Sequence, residues 1–206
     1  LSPQGKYLHE FFIISTDNGY FLDCSTKSKE DLIKQLSKYK LRSKVEIKDF
    51  STDYVIGIIS SEKFKEIQSE NKKSTDTILY RESPTFIDPR KKGLGARMLS
   101  SLEKLHLTIK KLNLKIVDSS IYFELAHSLG VPEKGLSNLK EQLFGLEANF
   151  EELNAIDFKK GCYVGQENTA RMKLKNKIRK KLLAVKIDGD IEVGEDLKFG
   201  EIKIGK

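Results

Sequence analysis

The chain has 206 residues and a formal charge of +7, with 37 Lys and Arg against 30 Asp and Glu. At 38% hydrophobic and 33% charged residues it is too apolar for disorder, and long enough for one domain plus part of a second. The apolar run Phe11-Phe12-Ile13-Ile14 falls far short of the ~20 residues of a membrane span. No secretory signal pattern opens the sequence, and two cysteines make neither a disulfide framework nor a four-cysteine zinc site. The basic residues are 31 Lys and six Arg, spread along the chain. That balance fits a solvated surface better than base reading or phosphate clamping, which favour Arg.

Taken in order, the pattern predicts strands over Tyr7–Ile14 and Tyr20–Cys24, joined by Asp17-Asn18-Gly19, a strong hairpin signal. Ser28–Tyr39 reads as a helix: Ser28 can cap it, and Leu32, Ile33, Leu36 and Tyr39 form one apolar stripe. Val45–Phe50 and Tyr54–Ile59 predict a second hairpin across Ser51-Thr52-Asp53. A helix at Glu62–Glu70 and a strand at Ile78–Arg81 complete a ββαββαβ order, an α+β arrangement of helices on a mostly antiparallel sheet. Asp88-Pro89-Arg90 to Gly93-Leu94-Gly95 is a turn-rich crossing. A strand at Ala96–Ser100 follows, then helices over Leu102–Leu112 and Ser119–Leu129, the second ended by Gly130-Val131-Pro132. Residues 133–157 read as irregular. From Lys181 the pattern is strand-like, punctuated by Gly189, Gly194, Gly200 and Gly205. The abrupt start at Leu1 and the stop within a strand-like pattern suggest that both ends are cut.

Chemistry concentrates in Phe158-Lys159-Lys160-Gly161-Cys162-Tyr163-Val164-Gly165-Gln166-Glu167. Two glycines bracket the cysteine on a tight turn, Lys159 and Lys160 precede it, and Gln166–Lys173 predicts a helix. A thiol beside ammonium groups and a helix N-terminus ionises more readily than a free one, and a thiolate suits metal ligation, sulfur transfer or nucleophilic attack. The alternative is a small buried hydrophobe in a glycine turn. Glu167 and Arg171 stand i, i+4 and can pair. Cys24, at a strand end without basic neighbours, reads as core packing, and Asp23 as a strand-end residue. His9 reads as an ordinary strand residue facing solvent. His106 and His127 carry no motif spacing, and no metal site is legible.

KGCYVGQE, with Arg171 four residues beyond its Glu, resembles the signature of the YgfZ family, folate-binding relatives of the glycine-cleavage T-protein. The resemblance extends to Leu1-Ser2-Pro3-Gln4-Gly5-Lys6, Asp88-Pro89-Arg90 with Gly93-Leu94-Gly95, Gly130-Val131-Pro132-Glu133 and Leu146-Glu147-Ala148-Asn149. It implies a T-protein-like α+β fold around a folate cavity over residues 1–178, with part of its N-terminal portion missing. Residues 179–206 would then begin a truncated C-terminal β-barrel. It also implies an auxiliary role in iron–sulfur cluster assembly, insertion or repair, supporting enzymes that include tRNA-modifying ones.

On this resemblance tetrahydrofolate or another reduced folate is the cofactor. Tyr122 and Tyr163 are aromatic contacts for it, and Gln166, Glu167 and Arg171 further binding residues. Cys162 is the reactive or transiently ligating thiol, with Lys160 supplying positive charge. Partners are the folate and iron–sulfur client or assembly proteins, with tRNA only indirect and no membrane. A monomer is expected, in the cytoplasm or, in a eukaryote, the mitochondrial matrix. The alternative is a tetrahydrofolate-dependent aminomethyltransferase. The T-protein places an Asp-Asp pair where this chain has His9-Glu10, and its signature turn lacks Cys162. Both departures point away from aminomethyl transfer, although Glu10 still supplies a carboxylate. The basic run from Lys173 to Lys181 reads as a solvated linker or as an attractor for polyglutamate or RNA, in either case salt-sensitive.

Overall fold

The computed structural model describes residues 1–70, 75–175, 178–187, 189 and 191–206. A hairpin opens the ordered elements: β1 (Phe11–Thr16) pairs antiparallel with β2 (Gly19–Cys24), Phe11 opposite Cys24. The predicted first strand thus starts four residues late, because Tyr7 is drawn elsewhere: its N–H donates to the Leu143 carbonyl at 2.8 Å. Helix α1 (Lys29–Lys40) follows a short 3-10 turn. Ser28 does not cap it as expected; its hydroxyl donates back to the Ser25 carbonyl at 3.0 Å.

The predicted hairpin over residues 45–59 does not form. Phe50 packs against Phe21 and Tyr54, with ring centroids 6.1 and 5.9 Å away, and its carbonyl accepts the N–H groups of Asp53 and Tyr54. That closes a helical turn where a hairpin needs an open one, so Val45–Phe50 stays irregular. β3 (Val55–Ile59) pairs instead with β6 (Ala96–Ser100). Helix α2 (Ser61–Glu70) and β4 (Thr77–Tyr80) come next, and β4 turns through Arg81-Glu82 into β5 (Ser83–Ile87), a strand that the pattern hid. Pro84 is the reason. It lacks a backbone donor, and the β5–β6 ladder starts at Thr85, opposite Met98, just past it.

The resulting four-stranded antiparallel sheet has the order β3-β6-β5-β4. Alternation along its strands splits the core in two. Ile59, Ile78, Tyr80, Ala96 and Met98 meet Phe64 and Ile67 of α2 on one face. Phe86 and Leu99 meet Ile14, Phe12 and Phe21 of the β1–β2 hairpin on the other. Helices, sheet and hairpin therefore stack as three layers.

Helix α3 (Leu102–Lys111) is capped by Ser101 and α4 (Ser119–Ser128) by Asp118, whose side chain accepts from Ser120 N at 2.8 Å. Apart from a 3-10 turn at Leu136–Leu139, the stretch after α4 is irregular, as expected, yet buried: Ala148 and Phe150 pack with Tyr7 and Val131 with Ala126. Helix α5 (Gln166–Leu174) follows the signature turn, and β7 (Leu197–Phe199) pairs with β8 (Ile202–Gly205). Residues 181–187 form no strand, and the described residues close no barrel. The fold is α+β with antiparallel sheets. No helix among the described residues is long and apolar enough to cross a membrane.

Candidate functional site

A cavity of about 860 Å³ opens between the hairpin and the sheet. Six consecutive residues, Glu10 to Ser15, form one wall, so the cavity runs along β1 and not merely past its end. Phe86, Ile87 and the Asp88-Pro89-Arg90 crossing form another, and Arg97 and Glu133 close it.

Period-two alternation decides why Arg97 is here. Its neighbours Ala96 and Met98 face the helical core, which leaves Arg97 on the opposite side of β6. There its Nε and Nη2 donate to Asp23 Oδ2 at 3.0 and 2.7 Å. Arg90 is held just as tightly: Nε and Nη2 donate to the two oxygens of Asp88 at 3.0 and 2.8 Å, and Nη1 donates to Glu133. The Tyr122 hydroxyl accepts from both guanidiniums, from Arg90 Nη2 at 3.0 Å and Arg97 Nη1 at 3.2 Å. Both cations also lie on the Phe12 ring, at 4.8 and 4.5 Å from its centroid, a favourable cation–π placement. Burial opposes the Arg90 charge, but the Asp88 hydrogen bonds and the Glu133 and Asp88 charges outweigh it, and its pKa is raised.

Burial dominates at Glu10 and pushes its carboxyl up to about 7, with Arg90 and Arg97 pulling down and Glu133 and Asp88 pushing up. Cys24 is not sealed in the core; it is half-buried and lines the cavity, its thiol pushed up by burial and by the Asp23 charge. His9, expected to face solvent, has a side chain only 6% exposed, with Nε2 3.4 Å from Asp31.

The signature turn lies elsewhere. Gly165 adopts φ +84° and seats against the Ser2–Gly5 turn: a Cβ there would stand 2.4 Å from the Ser2 carbonyl oxygen. Thr169, buried in α5, donates to the Gly165 carbonyl at 2.8 Å, and Asn168 donates to the Gln4 carbonyl at 2.6 Å. These contacts fix the helix that Cys162 precedes, while Cys162 itself is exposed. Lys160 Nζ sits 5.1 Å from the Tyr163 ring, whose backbone N–H donates to Gln166 Oε1 at 3.3 Å. The expected Glu167–Arg171 pair forms at 2.7 Å. Gln166, Glu167 and Arg171 share a depression of about 460 Å³ along α5 with Ala170, Leu174 and Lys175. Within the basic run, Lys173 pairs with Glu151 and Lys181 with Glu152, while Asn176 and Lys177 lie outside the described residues.

The structure thus places Lys160 and Tyr163 on the turn with Cys162, and Gln166, Glu167 and Arg171 on α5 just beyond it. Tyr122 stands apart with the arginines, and neither it nor Cys162 is among the residues lining the cavity. The Arg90–Arg97 cluster is what the sequence concealed: apart from Asp88, two residues from Arg90, its partners lie 25 to 74 residues away along the chain. No group of three or more His, Cys, Asp or Glu among the described residues could hold a metal ion.

Comparison with known proteins adds to this geometry. Over 190 residues the chain is 32% identical to the mitochondrial iron–sulfur cluster assembly factor IBA57 homolog of Mycosarcoma maydis, covering 89% of this chain and 44% of that protein. The chain resembles iron–sulfur cluster assembly factors. The IBA57 homolog of Dictyostelium discoideum is 30% identical over 181 residues, covering 83% of this chain and 43% of that protein. The mouse IBA57 is 28% identical over 200 residues, covering 93% and 53%. The chain therefore spans about half the length of the curated relatives it matches. No family model matches it.

Proposed function

We propose that the protein supports the assembly, insertion or repair of iron–sulfur clusters in client enzymes, tRNA-modifying ones among them, as a folate-binding auxiliary factor of the YgfZ type. The observation that carries this reading is the exposed Cys162 thiol, ahead of a helix that Gly165 locks to the Ser2–Gly5 turn, in a chain similar to iron–sulfur cluster assembly factors. The cluster is cargo. A four-iron cluster takes four ligands, so one cysteine can only share it with a client or assembly protein. Lys160 supplies positive charge beside the thiol. Relatives named mitochondrial favour the mitochondrial matrix if the source is eukaryotic.

The cavity is the proposed folate site. Its volume suits a ligand of that size, its Phe11, Phe12 and Phe86 offer aromatic surface, and Glu10 offers a carboxyl. Tetrahydrofolate brings one-carbon chemistry when bound; this chain's part is to hold and orient it. Tyr122 enters through the two arginines that it joins. Tyr163, Gln166, Glu167 and Arg171, which do not line that cavity, meet the client from the α5 side. With this goes a T-protein-like architecture over residues 1–178, leading into a barrel from 179.

Replacing Cys162 with Ala in cells that depend on this protein tests the reading. Loss of cluster-enzyme activity with folding and tetrahydrofolate binding intact is expected. Full complementation by Cys162→Ala rejects the thiol mechanism. The second reading, tetrahydrofolate-dependent aminomethyl transfer, is favoured by Glu10 on the cavity wall. Methylene-tetrahydrofolate formed from an aminomethylated lipoyl carrier would support it.

A further inference from the structure

Three of the carboxylates around the arginine pair are already engaged. Asp23 binds Arg97, while Asp88 and Glu133 bind Arg90. Glu10 lines the same cavity and makes no hydrogen bond or ion pair among the described residues. The arginines, for their part, direct their donors into Asp23, Asp88, Glu133 and Tyr122. An anionic ligand end therefore meets few free donors and several negative charges. A ligand edge with two adjacent N–H groups meets an unclaimed carboxyl, which accepts both in a bidentate geometry.

We propose that Glu10 is the specificity-determining group of this cavity, reading an amidine-like pair of N–H donors and turning anionic ligand ends outward. The 2-amino-4-oxopyrimidine edge of a reduced folate is such a pair, so the inference deepens the folate reading and rests on it for the ligand's identity. The groups that face Glu10 are Arg90, Arg97, Asp88 and Glu133, with Tyr7 close enough that the Glu10 charge helps raise its pKa. Asp76 lies at the exposed margin of the cavity. With the Glu10 carboxyl near 7, its ionised fraction grows about tenfold between pH 6 and pH 8, and binding of N–H donors grows with it.

The test titrates the protein with two probes, benzamidine and 5-formyltetrahydrofolate, followed by NMR at pH 6, 7 and 8. The expected result is an affinity for each probe that rises about tenfold from pH 6 to pH 8. Glu10→Gln should weaken binding at pH 8 and flatten the slope, and Glu10→Asp should keep the slope; circular dichroism verifies that both fold. Glu10-dependent binding of benzamidine without binding of the folate supports the role of Glu10 and sinks the folate reading. Folate binding with affinity and slope unchanged in Glu10→Gln overturns the role of Glu10 and leaves the folate reading standing. If neither probe binds, both are overturned.

Discussion

Arg97→Met removes a guanidinium and keeps an apolar stem of similar reach. Arg97 is 7% exposed. Its loss strips Asp23 of two donors at 3.0 and 2.7 Å and Tyr122 of one, and removes a cation from the Phe12 ring. Breaking a buried ion pair from one side leaves the other charge uncompensated, which costs about 3–5 kcal/mol. Against a typical total of roughly 5–15 kcal/mol, that is a large fraction of the stability. The chain has no Trp, so urea unfolding is best followed by circular dichroism. Adding Asp23→Asn removes the stranded charge, and the double variant should recover roughly 1–3 kcal/mol relative to additivity. A single-variant cost below about 1 kcal/mol, or strictly additive effects, would refute the claim that this pair ties the hairpin to the sheet.

Two further predictions follow from the same geometry. Gly165→Ala forces a methyl group to 2.4 Å from the Ser2 carbonyl oxygen and 2.9 Å from Gly5 Cα at a left-handed φ, costing about 1–3 kcal/mol. Differential scanning calorimetry should show a melting temperature lower by several degrees, and an unchanged one contradicts the seating of the signature turn. The Glu10 carboxyl has its pKa raised in the folded protein from 4.5 to about 7, so its contribution is intact below pH 4.5 and is lost as pH rises through 7. Urea midpoints of the unliganded protein should fall less between pH 5 and pH 8 in Glu10→Gln than in the wild type; parallel curves would argue against burial of this carboxyl.

Local signals carried much of the architecture. Asp17-Asn18-Gly19 marks the first hairpin and Gly130-Val131-Pro132 the end of α4, because turn chemistry acts between neighbours. The pattern fails where distant residues decide. Val45–Phe50 has strand composition, yet an aromatic cluster with Phe21 claims Phe50. β5 carries Pro84, tolerated because pairing with β6 begins one residue later. At the candidate site the Cys162 segment is legible as a contiguous motif. The arginine cluster is not, since no spacing links Asp23 to Arg97 or Arg90 to Glu133 until the sheet forms. Cys24 shows the same limit: its sequence neighbourhood suggests a core residue, and only the apposition of hairpin and sheet puts it on a cavity wall.

The lodging of Gly165 against the opening turn has a kinetic meaning. The two segments are separated by some 160 residues, so seating Gly165 closes a long loop and adds to the non-local contacts that slow folding. The base of the cysteine segment is therefore a non-local contact, made between positions far apart in the chain. Loosening the opening turn would accordingly free the segment that carries Cys162, with no change in that segment's own sequence.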